Sequence, residues 1–91
     1  MYLHGIVQSA DLEENPPESG NIEMVLKVQG VGPGQPRKIV VPLALLVRDP
    51  TLDPDTIGGH AFHAEVFEAD AGRWVVAEIA VAARRDLRSP E

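Results

Sequence analysis

Between residues 22 and 31 the chain alternates, with Met24, Leu26 and Val28 on one face and Glu23, Lys27 and Gln29 on the other, where Val25 joins them. A repeat of two residues is the mark of a strand with one face buried. The same repeat returns later, where Phe62, Ala64 and Val66 alternate with His63, Glu65 and Phe67. It returns again where Val75, Ala77, Ile79 and Val81 alternate with Trp74, Val76, Glu78 and Ala80. This last stretch also fits a helical stripe through Val75 and Ile79, but its β-branched residues and the turn before it favour a strand. Residues 1–9 form a short apolar segment that predicts a first strand, with a kink or bulge at Gly5. Residues 39–41, Ile-Val-Val, predict a third strand that Pro42 interrupts, and residues 43–47 fit either strand or helical turn.

The intervening segments are punctuated by turn formers. Residues 11–21 carry acids, two prolines and no periodicity, and predict a solvated loop. Residues 30–36, Gly-Val-Gly-Pro-Gly-Gln-Pro, hold no regular structure and join two neighbouring strands as a hairpin. Residues 49–59 leave room for at most a short helical turn. Residues 69–73 close the fourth strand as a turn, and residues 84–91 read as a polar tail.

Five strand-like segments, a long first loop, a reduced connector between strands 3 and 4 and a final hairpin resemble the OB-fold, a small five-stranded Greek-key barrel. Two segments carry the resemblance. Residues 57–66, Ile-Gly-Gly-His-Ala-Phe-His-Ala-Glu-Val, are similar to the family's fourth strand, where a Gly-rich turn precedes an alternating stretch. Residues 72–81, Gly-Arg-Trp-Val-Val-Ala-Glu-Ile-Ala-Val, are similar to the closing strand of members that bind single-stranded nucleic acid. The resemblance covers residues 1–85 and implies one all-β domain, with residues 86–91 as a tail. The connector at 49–57 departs from it, being too short and proline-rich for the helix commonly found there. In that family the ligand crosses strands 2 and 3.

Composition narrows the picture. The chain has 91 residues, enough for one small domain, and 44% of them are hydrophobic, too many for a wholly disordered chain. Zero Cys removes disulfides and Cys-based zinc sites. No apolar run is long enough to span a bilayer, and no basic-then-apolar leader opens the sequence, so a soluble, cytoplasmic protein without membrane partners is expected.

Charge gives the most functional information. Residues 1–26 hold five acids and no Lys or Arg; residues 27–48 hold Lys27, Arg37, Lys38 and Arg48 and no acid; residues 49–83 hold seven acids and Arg73. The basic block coincides with strands 2 and 3. Phosphates require cations and bases require exposed aromatics, which nominates Lys27, Arg37, Lys38, Phe67 and Trp74 for nucleic-acid binding, with Tyr2 beside them. Against this stand a net charge of -6 and the acidic first loop, Asp11, Glu13, Glu14 and Glu18. The competing expectation is a protein-interaction or homo-oligomerisation module that uses strand edges and the apolar stretch 40–47.

Enzymatic motifs are wanting, and a non-enzymatic module without cofactors is expected. Ser9, Ser19 and Ser89 lie outside nucleophile contexts. The Gly-rich segment 30–34 lacks the Lys-Ser/Thr of a phosphate loop, and the acids of 49–55 lack the last ligand of a calcium loop. For a metal, His60 and His63 point to opposite faces of a strand, while His63 and Glu65 share one, so at most two ligands converge without help from His4. Histidines beside a turn are the simpler reading.

Overall fold

Alternation folds this chain into five strands whose apolar faces turn inward. The computed structural model describes residues 1–70 and 72–82, so the expected tail lies outside the described residues. The elements are β1 (Tyr2–Glu14), β2 (Ile22–Gln29), β3 (Lys38–Pro42), α1 (Leu43–Arg48), β4 (Ala61–Asp70) and β5 (Arg73–Val81). The strands form one sheet that closes into a ring in the order β1-β2-β3-β5-β4. Every neighbouring pair is antiparallel except β3 and β5, which run parallel and meet at Val40 and Val75.

The core fills the ring. Leu3, Met24, Leu26, Ile39 and Val41 are fully sequestered, and Val7, Val28, Phe62, Ala64, Val66 and Val76 are nearly so. The connector contributes as well. Turns at 49–57, held by hydrogen bonds that the Leu52 amide donates to the Asp49 carbonyl (3.1 Å) and the Ile57 amide to the Asp53 carbonyl (2.9 Å), deliver Leu52 and Ile57 into the same cluster. Leu45 and Leu46 of α1 pack against it. The short connector therefore supplies apolar side chains that a longer helix would otherwise bring.

Several boundaries differ from the sequence expectation. β1 does not stop at Ser9 but runs to Glu14, because Asp11, Leu12, Glu13 and Glu14 pair with Val25, Met24, Glu23 and Ile22. The irregularity in β1 falls between Val7 and Ser9, not at Gly5. Gly5 is required for another reason: a Cβ there would lie 2.4 Å from the Gln29 carbonyl oxygen, so the strand accommodates its neighbour only without a side chain. Residues 43–47 are helical, entered from Pro42 in extended conformation (φ -71°, ψ 157°). In β5 a register shift opposite Glu65 and Val66 changes the alternation, so Trp74, Val76, Ile79 and Val81 turn toward the core while Val75 faces out.

The first loop is more ordered than its composition suggests. The Glu14 carboxylate accepts the amide N–H groups of Glu18 (2.8 Å) and Gly20 (2.7 Å), and the Asn21 side-chain amide donates to the Asn15 carbonyl (2.8 Å). An acid here serves the turn itself.

Candidate functional site

On the outside of the ring, registered pairs define rows of side chains running across the strands. Asp11 stands beside Val25, Val25 beside Val40, Val40 beside Val75 and Val75 beside Phe67. Four of these five outward positions are apolar. Val25 and Val40 are each only 6% exposed, yet neither belongs to the interior cluster. They form a second apolar surface, separated from the core by the sheet. Phe67, 51% exposed, ends the row on β4.

Lys27 and Lys38 occupy the next row, directly opposite one another on β2 and β3, and both are exposed. Like charges facing across a pair disfavour the sheet slightly, so two lysines at this spacing leave a position that an anion relieves. Lys38 and Phe67 are separated by two strand spacings, about 10 Å, across the sheet and by one row along it. On the other flank Glu23, opposite Pro42, is the buried charged residue of β2. Its carboxylate is paired with the guanidinium of Arg73, which reaches it from β5 across the intervening β3. Arg73 also borders, with Lys38, Val40, Gly72 and Trp74, a shallow hollow on this face.

The structure thus gathers some of the expected residues and separates others. Lys27, Lys38 and Phe67 share the outward face of the sheet. Arg37 is exposed, but its carbonyl accepts the Val28 amide (2.8 Å) and the residue borders a different hollow with Gln8, Gln29 and Val31. Trp74 is half-buried, packs on the core and also borders the hollow beside Lys38 and Val40. Tyr2 is exposed but stands opposite Glu65, away from the lysines.

Sequence reasoning passed over Val40, Val75, Glu23 and Arg73 as parts of this surface. A signal existed, since Val25 is the apolar exception on the polar face of β2. Recognising its partners required the register.

Elsewhere, a cleft of about 540 Å³ lies between α1 and β5 and is lined by Leu45, Arg48, Asp49, Leu52, Glu78 and Ile79. The Asp49 carboxylate accepts the Thr51 hydroxyl (2.6 Å) and amide (3.0 Å), the hydroxyl bond being the larger cause that holds its pKa below the ordinary value. A carboxyl so held is ionised at neutral pH and is a poor proton shuttle there. The histidines divide: Nδ1 of His60 lies 2.8 Å from the Ala82 carbonyl oxygen, while His63 stands opposite His4. Among the described residues no group of three or more His, Cys, Asp or Glu side chains is placed to hold a metal ion. No described helix is long and apolar enough to cross a membrane.

Comparison with known proteins gives no relative: no family model, no curated protein and no solved structure matches this chain.

Proposed function

We propose that the chain is a small, OB-like Greek-key binding module, non-enzymatic, that takes single-stranded nucleic acid across the outer face of β2 and β3. The observation that carries the reading is the opposed pair Lys27 and Lys38 beside the outward row Val25, Val40 and Val75, which ends in the exposed Phe67. Cations for phosphates and exposed aromatic rings on which bases stack are the two requirements of sequence-tolerant single-strand binding, and here Lys27 and Lys38 supply the first and Phe67 the second, with the buried valines as the floor between them. The order β4-β1-β2-β3 within the ring supports the architecture, because a fourth strand returning beside the first is the Greek-key arrangement. Acids on the β1 side of the face, Asp11 and Glu13, bound the track and favour a ligand that runs along β2 and β3 toward β5.

The test is a titration of a fluorescent single-stranded oligonucleotide at low and at tenfold higher salt. Two phosphate contacts predict a slope of about -1.4 in log affinity against log salt, so tenfold more salt weakens binding roughly 25-fold. Lys27→Ala with Lys38→Ala flattens that slope, and Phe67→Ala weakens binding by about 1–3 kcal/mol if one base stacks there. Absence of saturable binding at low salt overturns the proposal.

A second reading rests on a different observation. Leu43 (41%) and Val47 (75%) of α1 are exposed large aliphatic side chains, which suits a protein partner or self-association. Light scattering at high micromolar concentration separates the two: a concentration-dependent mass that Val47→Asp abolishes favours this second reading.

A further inference from the structure

The β1–β4 seam of the ring carries chemistry that the β2–β3 face does not use. Tyr2, His4 and Ile6 point outward along β1, opposite Glu65, His63 and Ala61 of β4. The His4 and His63 rings stand with their centroids 5.9 Å apart and their planes tilted by 47°. Both are exposed, and neither ring nitrogen has a hydrogen-bond or ion-pair partner among the described residues. His60 differs, since Ala82 occupies its Nδ1. The space beside the pair is open, bordered by Gly5, Ala61, Ala80 and Ala82 in a hollow of about 400 Å³. The charged groups in the adjoining row are acids: Glu65, two residues beyond His63, and Glu78, opposite Glu65 on β5.

We infer that His4 and His63 form a two-imidazole site for a late first-row divalent cation, Zn²⁺ or Cu²⁺, whose remaining coordination positions are filled by water. Imidazole nitrogen is a donor that these ions prefer over Mg²⁺ or Ca²⁺. Two rings brought to one point by a fixed strand register bind as a chelate, because the second ligand is already held at high local concentration. A metal-to-nitrogen distance of about 2.0–2.1 Å requires only that the tilted rings turn their free nitrogens toward a common point. Glu65 and Glu78 add negative potential around the cation without being ligands. With two protein ligands the site is labile and exchangeable, unlike a closed four-ligand structural centre.

The location gives the site a consequence. One ligand comes from β1 and the other from β4, so the bound ion ties the pair of strands that joins the two ends of the sheet order. An ion that binds only the folded chain raises the thermal midpoint, the stabilisation growing with the logarithm of one plus the ratio of free ion to its dissociation constant.

The experiment is a ZnCl₂ titration of ¹⁵N-labelled protein at about pH 7.5, followed by histidine ring signals and by calorimetry. The expected result is saturable binding at one ion per chain, with the His4 and His63 rings shifting together, His60 unmoved, and full reversal by a chelator. His4→Ala and His63→Ala each lower the affinity at least about tenfold, as loss of a chelate partner demands, while His60→Ala leaves it unchanged. Both variants remove an exposed outward ring, and their folding is checked by circular dichroism. A second readout is the thermal midpoint, which Zn²⁺ raises in the parent chain but not in His63→Ala. No saturable binding, or binding that survives His4→Ala undiminished, overturns the inference.

Discussion

The two faces of β2 and β3 are built from similar residues and kept from water by different means. Inside, Met24, Leu26, Val28, Ile39 and Val41 are closed off by the other strands and by Leu52 and Ile57 of the connector. Outside, Val25 and Val40 are nearly as inaccessible, yet they stand outside that cluster, on the face that carries Lys27, Lys38 and the Glu23–Arg73 ion pair. The inner set is held by packing that only unfolding undoes. The outer set lies among long polar side chains that rotamer changes move, since such stems lie on apolar surface while their heads stay wet. Equal burial therefore does not mean equal commitment to the fold.

The largest test of this difference is truncation on either side of the same strand. Leu26→Ala removes a fully enclosed side chain and costs about 2–5 kcal/mol in chemical denaturation. Val25→Ala, one residue away, costs clearly less, because solvent and neighbouring side chains refill the space. Equal losses would break the comparison and make the outer row a true core. Next in size is Gly5→Ala, whose Cβ would meet the Gln29 carbonyl; overpacking of this kind costs about 1–3 kcal/mol.

Arg73→Ala sharpens the outer side, since it leaves the buried Glu23 carboxylate without its donor. Thermal or urea unfolding is expected to show a loss of about 1–3 kcal/mol. Arg73→Ala with Glu23→Leu recovers part of that loss, because a hydrophobic replacement removes the orphaned charge.

The smallest effect concerns Asp49. Its pKa is depressed in the folded chain, so its contribution is present above the ordinary carboxylate value of 3.8 and fades as pH falls through the lower folded value. Thr51→Val removes the hydroxyl bond and brings the Asp49 pKa back toward 3.8, which NMR titration of the carboxyl carbon reads directly. The stability change at neutral pH is slight because the group is exposed to solvent.

Much of the fold was written in local pattern. β2 and β4 follow from uninterrupted alternation, and the hairpin before β3 from a run of Gly and Pro. What escaped depends on partners distant in the chain. Asp11 to Glu14 look like loop because their acids and the prolines after them suggest solvent, and only β2 opposite makes them strand. The register shift in β5 moves burial from Val75 to Val76, and no periodic reading anticipates an extra residue. For the candidate site, Lys27 and Lys38 were legible as a basic block, but their direct opposition was not. His4 and His63 are far apart in sequence, and only the pairing of β1 with β4 brings their tilted rings side by side.

The ring is uneven in how its strands are joined. β1 meets β2 through eight registered partners, whereas β3 and β5 meet through the single pair Val40 and Val75. That junction has the fewest registered partners in the ring, and it is where the sheet is expected to part first in transient opening. Amide hydrogens along it are expected to exchange with deuterium sooner than those of β1 and β2, by the local route and not through global unfolding. Because the outer valines and Arg73 flank the same line, such opening would loosen the outer face and the closure of the ring in one motion.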